Sequence, residues 1–380
     1  PGRSIQLPLA EVDAGLVLAG TPDPFTPATV EKKAALRHFQ PHAVLISGNA
    51  ERPARRALNE AALQPDEPMH TLAPAVTAIA RDEAARLVSQ QRTVELGWDE
   101  FNRAWWAVVR RIVLGDHARE DAQLTDLLGT LRQAGNWAYL RPRRRRQRQR
   151  FLAEIAAHVR QAEPGSLAAE LAAAARNAPG DVDPAGQAPH WLFAFDAAGM
   201  ATARTLALLA RHPEQARAAH EEAVGTDDAA PRLLPYLRAC VLESVRLWPT
   251  TPALLRETVR DTRWGPRGTS MLLYTPYFHR DSETLPFADT FAPHIWLDGT
   301  AASHPGLVPF SAGAAECPGR NVVLLATSTL LAALVAEHDV ELVGKPDIDH
   351  ERPLPATLDN FSIRLRFRAR DTGRTSQPST

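Results

Sequence analysis

Cys317 lies in a turn whose composition suits a metal-binding thiolate. Residues 310–320 read Phe-Ser-Ala-Gly-Ala-Ala-Glu-Cys-Pro-Gly-Arg and lead into a long apolar segment. A cysteine just before a helix N-terminus faces the positive end of the helix dipole and several free backbone N–H groups, which stabilise its thiolate. Because the thiolate is the form that binds a metal ion, this turn predicts a site where sulfur holds a metal.

The second cysteine, Cys240, lies in a segment with an amphipathic helical pattern. A small buried thiol is the ordinary interpretation of such a position. With only 2 cysteines in 380 residues, disulfide bonds are not the basis of stability.

Glu243 and Arg246 are three residues apart, which places both charges on one face of a predicted helix. Alone, such a pair is usually a surface ion pair worth under about 1 kcal/mol. It gains meaning from the segments that follow it: a strand pattern that carries Arg256, then His-Arg-Asp at 279–281 and Phe-Ala-Pro-His-Ile-Trp at 291–296.

The turn at 310–319 resembles the haem-binding loop of cytochrome P450 enzymes, Phe-x-x-Gly-x-x-x-Cys-x-Gly, and the order of segments before it resembles the C-terminal half of that family. The resemblance implies a cytochrome P450 fold and a haem b (heme b) group with Cys317 as the axial thiolate ligand of iron. It also implies that three further residues of the turn contact haem and that Glu243 and Arg246 form a structural pair. The three turn residues are Phe310, Gly313 and Gly319.

Haem propionates need cations, and the resemblance assigns one of them to Arg256. For the second, the segment around Arg55 and Arg56 matches a His-x-x-x-Arg-Arg pattern of bacterial members, with Glu51 in the histidine position. Arg55 is therefore predicted to bind a propionate, with Arg56 as the second choice. Arg110, in a Trp-x-x-x-Arg pattern, lies too near the 190–211 helix for this role.

The predicted helix at 190–211 resembles the long helix that crosses over haem in the family. Counting back from its His-Pro ending places Asp196 at the family's acidic position and Ala197 where the family has threonine. A second register, Ala-Gly-Met-Ala-Thr over 198–202, recovers the threonine at Thr202 but loses the acid.

The loss of the threonine hydroxyl bears on catalysis, because the resemblance implies that threonine and acid deliver protons during oxygen activation. Asp196 and Ala197 are accordingly the candidate catalytic residues. With Ala197, a substrate hydroxyl or an ordered water completes the relay, or hydrogen peroxide brings its own protons, or the haem does other chemistry. The predicted substrate pocket contains Phe193, Phe195 and Ala198, which favours an apolar, fairly bulky ligand.

Two more positions depart from the family pattern. Ala315 stands where the family usually has a histidine or arginine that contacts a propionate, so the grip on haem is expected to be weaker there unless another cation compensates. Ile295 stands where many members have an arginine that completes the network around Glu243, and His294 is the expected substitute.

The pattern of the whole chain is mostly α with a small β portion, in a single domain over 1–380. Long segments with apolar residues three and four apart predict helices, and short alternating segments predict strands. The predicted helices are 52–63, 68–90, 98–114, 119–139, 147–162, 190–211, 213–224, 231–247 and 318–336, and the predicted strand regions are 254–275, 339–343 and 361–367. Few residues precede Arg55, so the N-terminal part is expected to be shorter than usual, either naturally or because the sequence is trimmed.

Composition limits the other possibilities. The net charge of −1 gives no reason to expect nucleic acid as a partner, and the chain has 44% hydrophobic and 23% charged residues, as soluble globular proteins do. No uncharged apolar run of 18 residues and no signal-peptide pattern occurs, so no membrane anchor and a cytoplasmic location are expected.

The resemblance implies a monooxygenase that acts on a small apolar organic molecule, in secondary metabolism. The sequence has no cysteine cluster and no Gly-x-Gly-x-x-Gly, so electrons are expected from a separate ferredoxin and ferredoxin reductase. The alternatives are a hydrogen-peroxide-dependent peroxygenase and a non-catalytic haem-binding protein. An arginine-rich run at 141–150 is either a docking patch for an acidic partner or a solvated turn between two helices.

Overall fold

The computed structural model of the chain describes residues 4–88, 92–180, 182–224 and 230–370. Within these residues the fold is mostly helical with two small sheets, which confirms the predicted fold class. The helices are α1 Glu11–Ala19, α2 Val30–Leu36, α3 Arg52–Leu63, α4 Ala73–Val88, α5 Trp98–Leu114, α6 Ala122–Asn136, α7 Arg145–Gln161, α8 Leu167–Ala175, α9 Ala188–Leu209, α10 Pro213–Ala223, α11 Pro235–Leu247, α12 Thr275–His279 and α13 Arg320–Glu337. The strands are β1 Ile5–Gln6, β2 Phe25–Thr26, β3 Thr93–Gly97, β4 Ala253–Thr258, β5 Ser270–Tyr274, β6 His338–Leu342 and β7 Arg364–Ala369.

The long helices agree with their sequence patterns, and α3 and α5 have the predicted bounds. The short elements α1, α2, α8, α12 and β1 to β3 were not predicted, because few residues carry too little periodicity to be recognised. The strand predicted from Phe361 begins at Arg364 instead. The Asp359 side chain accepts the Phe361 N–H at 3.0 Å and holds a short 3₁₀ turn before the strand.

The first sheet joins the N-terminal segment to the middle of the chain. Its strand order is β1-β5-β4-β2, with β1 parallel to β5 and the other pairs antiparallel. Arg256 lies in β4 opposite Met271 of β5. The second sheet has the order β3-β7-β6 and is antiparallel throughout.

The core forms where α9, α11 and α13 pack against one another and against α4 and α5. Two of these helices, α9 and α13, are long and apolar enough to cross a membrane by length and composition. Both lie mostly inside the fold, where apolar helices are also expected as parts of a protein core.

Helix α11, which carries the predicted Glu243–Arg246 pair, has an unusual N-terminal cap. The Glu222 carboxylate of α10 accepts the backbone N–H groups of Tyr236 and Leu237, each at 2.8 Å. A carboxylate at this end of a helix satisfies free N–H groups and interacts favourably with the helix dipole. The cap therefore fixes where α11 begins relative to α10.

The arginine-rich run does not form a turn throughout, because α7 begins at Arg145. Most of the run is exposed, and Arg148 donates to the carbonyl of Arg37 at 2.8 Å. Three large apolar side chains just before it, Trp137, Tyr139 and Leu140, are also exposed.

Helices α5 and α9 approach closely at one point, where Trp105 lies against Gly199. The Trp105 indole is fully buried and donates to the carbonyl of Phe195 at 2.7 Å. A Cβ atom at Gly199 would lie 2.4 Å from Cδ1 of that indole, which is closer than any real contact. Glycine at this position is therefore a requirement of helix packing.

We predict that Gly199→Ala lowers the free energy of unfolding by about 1–3 kcal/mol, because the added methyl group overpacks the contact with Trp105. The matched control is Gly129→Ala in α6, where a Cβ atom meets nothing within 4 Å. That change is expected to raise stability by about 0.5–1 kcal/mol through helix propensity. Urea unfolding of both variants measures the difference, and equal stabilities would contradict the packing argument.

Candidate functional site

The turn that contains Cys317 is held by its own backbone. The Cys317 N–H donates to the Phe310 carbonyl at 3.0 Å, and the Glu316 N–H donates to the Gly313 carbonyl at 2.8 Å. Gly313 has a φ of 66°, and a Cβ atom there would lie 2.5 Å from the carbonyl oxygen of Leu18. Only glycine fits both conditions, so the turn packs tightly on the end of α1.

The Cys317 thiol lies at the beginning of α13 and is partly exposed. Burial raises the pKa of this thiol, while the Gly319 backbone N–H and the guanidinium of Arg56 act to lower it. Both opposing groups stabilise negative charge on sulfur, as the sequence predicts for a thiolate ligand. The free thiol is thus held in a place where a bound metal ion would complete the stabilisation of the thiolate.

Glu243 and Arg246 form a fully buried, bidentate ion pair. Nε of Arg246 lies 2.7 Å from Oε1 of Glu243, and an Nη nitrogen lies 2.8 Å from Oε2. The remaining guanidinium hydrogens go to carbonyl oxygens at 2.8–3.2 Å, those of His279, Phe287, Ala288 and Thr290. The pair therefore organises the loop that follows α12.

His279 connects this ion pair to the segment before the cysteine turn. Its Nδ1 donates to the Arg246 carbonyl at 3.3 Å, and its Nε2 accepts the Val308 N–H at 3.0 Å. Burial and then the Arg246 charge lower the pKa of His279 to about 3, so the ring is neutral. A neutral ring is required here, because one nitrogen donates and the other accepts.

Two buried arginines flank the cysteine turn. Arg256 donates to Ser311 Oγ at 3.1 Å and to Thr21 Oγ1 at 3.1 Å. Arg52 donates to the Ala314 carbonyl at 3.3 Å and to the Val44 carbonyl at 3.1 Å. In the described part of the chain, neither guanidinium has a carboxylate within ion-pairing distance.

These cations repel one another. Burial lowers the pKa of Arg256 to about 10, with a further contribution from Arg52. Burial lowers the pKa of Lys32 to about 7, helped by repulsion from Arg256 and Arg52. Buried charges of one sign are costly unless an anion compensates them. The cluster of Lys32, Arg52 and Arg256, hereafter the cation cluster, is therefore suited to an anionic ligand.

Arg55 and Arg56, predicted to bind a propionate, both have carboxylate partners. Arg55 pairs with Glu51 at 3.2 Å and also donates to a serine hydroxyl, that of Ser47, at 2.8 Å. Arg56 pairs with Glu60 at 2.6 Å and donates to the Glu316 carbonyl in the cysteine turn at 2.7 Å.

The sequence prediction omitted Arg52 and Lys32 from the site. Arg52 had a recognisable signal, because it lies three and four residues before Arg55 and Arg56 on the same side of α3. Lys32 had no such signal, since it lies in the short helix α2.

One face of α9 is partly exposed inside an otherwise buried helix. His190, Phe193, Ala194 and Ala197 form this face at spacings of three and four residues. Burial and the charge of Lys32 lower the pKa of His190 to about 4, which places this face within electrostatic reach of the cation cluster. The space along this face of α9 is named the cleft.

Asp196 lies beside this face and is held by Arg132 of α6. The two side chains form an ion pair at 2.6 Å, and the guanidinium of Arg132 lies over the Phe193 ring at 5.1 Å. Phe193 also packs on Phe39, with ring centroids 5.4 Å apart. The cleft thus has an aromatic wall beside a paired acid.

Comparisons with known proteins agree with this arrangement. A family model described as "Cytochrome P450" matches residues 194–360, which include the ion pair and the cysteine turn. The solved structure of retinoic acid bound cyanobacterial CYP120A1 superposes with a TM-score of 0.76, at 18% identity, over 97% of this chain and 90% of that one. The chain is therefore similar to cytochrome P450 proteins, in its fold and over residues 194–360 of its sequence.

Curated P450 relatives match the C-terminal part of the sequence. Probable cytochrome P450 4s3 of Drosophila melanogaster is 31% identical over 189 residues, which is 48% of this chain and 37% of the relative. Cytochrome P450 714D1 of Oryza sativa subsp. japonica is 34% identical over 185 residues, 43% of this chain and 32% of the relative. The chain thus spans about a third of the length of these relatives.

The residues fit the haem group of a P450. Cys317 would hold the iron through sulfur, the cation cluster would neutralise the two propionates, and the partly exposed face of α9 would cover the ring. The buried guanidiniums of Arg52 and Arg256, which have only neutral acceptors, are the observation that carries this fit. Gly319 adds no side chain beside the sulfur, since a Cβ atom there would lie 3.9 Å from Sγ.

The structure corrects the expectation for His294, which is exposed and does not reach Glu243. Instead the indole of Trp296 donates to Oε1 of Glu243 at 2.8 Å, and the Ala292 N–H donates to Oε2 at 2.9 Å. Ile295 is fully buried among apolar side chains. A neutral donor thus completes the network where many P450s use an arginine.

The structure also corrects part of the predicted pocket. Phe195 is buried against Trp105, with ring centroids 6.2 Å apart, so it belongs to the core and not to the cleft. Ala198 is buried as well, and its carbonyl accepts the Thr202 hydroxyl at 2.8 Å. Thr202 is fully buried, which leaves Ala197 and not this threonine on the cleft face.

We predict that Trp296→Phe lowers the free energy of unfolding by about 1.5–3 kcal/mol, because the buried carboxylate of Glu243 loses a donor. His294→Ala is the matched control and is expected to change stability by less than about 0.5 kcal/mol, as an exposed side chain should. Urea unfolding of both variants at pH 7 makes the comparison. A larger loss in the histidine variant would show that the network closes differently.

Proposed function

We propose that the protein is a haem-thiolate monooxygenase that inserts oxygen into a small apolar molecule. The observation that carries the proposal is the Cys317 thiol at the beginning of α13, in a turn flanked by the buried cations Arg52 and Arg256. Haem bound there would supply the reductive activation of dioxygen.

The residues of the chain have separate tasks in this proposal. The Gly319 N–H and Arg56 stabilise negative charge on the sulfur of Cys317 and so limit how much electron density it donates. Arg52 and Arg256 bind carboxylates on the opposite sides of the turn. Phe310 packs against the core beside the turn and keeps water from the sulfur.

Proton delivery is the task for which this chain has an unusual solution. Asp196 holds its carboxylate against Arg132 at 2.6 Å, and Ala197 offers no hydroxyl toward the cleft. We infer that a water or a substrate hydroxyl above Ala197 passes protons from the acid. The apolar wall formed by Phe193 and Phe39 favours a bulky apolar substrate.

The electron source, the cellular role and the location complete the proposal. We propose a separate ferredoxin and ferredoxin reductase as the electron donors. We propose a role in secondary metabolism and a cytoplasmic location, as the sequence suggests.

A second candidate function is a peroxygenase that uses hydrogen peroxide. Ala197 on the cleft face favours it, because peroxide brings both oxygen and protons and makes a threonine hydroxyl unnecessary. The two functions differ in the oxidant that supports turnover. A non-catalytic haem protein would form no product with either oxidant.

We predict that the wild-type protein, reduced under carbon monoxide, shows the Soret band of a thiolate-ligated haem. Cys317→Ser is expected to abolish this band, because an alcohol does not replace a thiolate as the iron ligand. Cys240→Ser is the matched control and should keep the band, since Cys240 is buried in α11. A retained band in the Cys317 variant would exclude this residue as the ligand.

We predict that Ala197→Thr increases the fraction of electrons that reach product several-fold, because a hydroxyl restores a direct proton path next to Asp196. Product formed per NADPH consumed, with ferredoxin and its reductase present, measures this coupling. If the protein is a peroxygenase, turnover with hydrogen peroxide should be faster than turnover with NADPH in both the wild type and the Ala197→Thr variant. The yield of product per NADPH would then stay low in both.

A further inference from the structure

We propose that Arg52 supplies, from helix α3, the haem-binding cation that the cysteine turn lacks at Ala315. The inference rests on the proposed function only in that the protein binds haem. It concerns which residue of this chain compensates for the missing charge.

The cysteine turn itself has no cation that points into the cleft. Its segment 311–315 consists of serine, alanine and glycine, and the nearest charged residues, Glu316 and Arg320, pair with each other at 3.4 Å. The turn therefore supplies no cation to either carboxylate of a ligand that has two. The compensating charges must come from other elements.

Arg52 lies at the place where the charge is missing. Its guanidinium donates to the carbonyl of Ala314, the residue directly before Ala315, at 3.3 Å. The side chain is 5% exposed, and its second bond, to the Val44 carbonyl at 3.1 Å, orients the group along the turn. An arginine on α3 thus reaches the same stretch of backbone from which a side chain at 315 would start.

The charge of Arg52 is available, unlike those of its neighbours on α3. Arg55 and Arg56 are paired with Glu51 and Glu60. The acceptors of Arg52 are both neutral carbonyls, and a buried guanidinium is costly without a negative partner. Burial and repulsion from Arg56 lower the pKa of Arg52 to about 10, which shows the same imbalance.

Arg256 provides the second cation on the other side of the turn, where it donates to Ser311 Oγ at 3.1 Å. The two guanidiniums are close enough to repel each other. Two carboxylates held between them would remove this repulsion and form charge-assisted hydrogen bonds with both. A dianionic ligand is thus matched by one buried arginine on each side.

The competing explanation is that Arg52 only ties the Val44 and Ala314 carbonyls together. The two roles differ in their dependence on the ligand's carboxylates. A structural tie affects any haem equally, whereas a binding cation affects haem but not its dimethyl ester, which has no negative carboxylates. The roles also differ in rescue, because a new cation at 315 restores charge but not the tie to Val44.

The experiment measures the rate of haem transfer to excess apomyoglobin from the wild type, R52Q, A315R and the double variant R52Q/A315R. The control is R103Q, which removes an exposed arginine of α5 that is paired with Glu100. We expect R52Q to release haem about 10–100-fold faster, as the loss of a charge-assisted bond predicts. The rate of haem release from the double variant should return to within about 3-fold of the wild-type rate. The rate from R103Q should equal the wild-type rate.

The same series with haem dimethyl ester completes the test. We expect R52Q and the wild type to release the ester at equal rates, because Arg52 then has no carboxylate to hold. Faster release of the ester from R52Q, unchanged release of haem from R52Q, or no rescue by A315R would each overturn the proposal. If R52Q does not fold, R52K carries the test, because lysine keeps the charge but cannot tie the Val44 and Ala314 carbonyls together as the guanidinium does. We expect R52K to release haem within about 3-fold of the wild-type rate, and loss of haem from R52K as fast as that expected of R52Q would overturn the proposal.

Failure of this inference and failure of the proposed function have different signatures. A wild-type protein that takes up no haem contradicts the proposed function. A wild-type protein that holds haem while R52Q holds it equally well contradicts only the role of Arg52.

Discussion

The buried ion pair between Glu243 and Arg246 is the interaction on which the rest of this structure depends. A buried pair adds little net stability over apolar residues, but breaking one by removal of a partner is strongly destabilising. Here both side chains have further partners, because the Nη atoms of Arg246 donate to four carbonyls and Glu243 accepts the Ala292 and Trp296 N–H groups. His279 passes this order on to Val308, next to the cysteine turn. The Glu243–Arg246 ion pair thereby helps to position the Cys317 thiol, although neither side chain touches the thiol.

Positive charge exceeds negative charge in the cation cluster, whereas the Glu243–Arg246 pair is neutral overall. The ion pair is complete within the protein, whereas the cation cluster of Lys32, Arg52 and Arg256 is not. Two of these repelling cations are buried and Lys32 is half-buried, so a ligand that neutralises them stabilises the folded chain because it binds the folded and not the unfolded state. The part of the molecule that we propose to bind haem carboxylates is therefore expected to depend on haem for its own stability.

The two sides of the cleft differ in how closely they follow the P450 pattern. On the thiolate side, the Gly313 conformation, the Gly319 N–H and the bonds of the turn leave little freedom for substitution. On the side of α9, packing decides the arrangement. Gly199 is required by Trp105, and Thr202 bonds to the backbone of its own helix. The Ala-Gly-Met-Ala-Thr segment is thus explained by contact with α5, and the position above the cleft belongs to Ala197.

The sequence by itself determined the long helices through their periodicity, and the turn of Cys317 and the Glu243–Arg246 pair through local spacing. Arg256 was assigned by resemblance to a known family and not by spacing. Tertiary structure decided the rest. That Trp296 and not His294 reaches Glu243, that Phe195 lies in the core, and that Arg52 and Lys32 join Arg256 all depend on contacts between elements distant in the chain. A sequence pattern shows which residues lie on the same face of a helix. Only packing shows what lies opposite that face, since burial and charge pairing are properties of the assembled core.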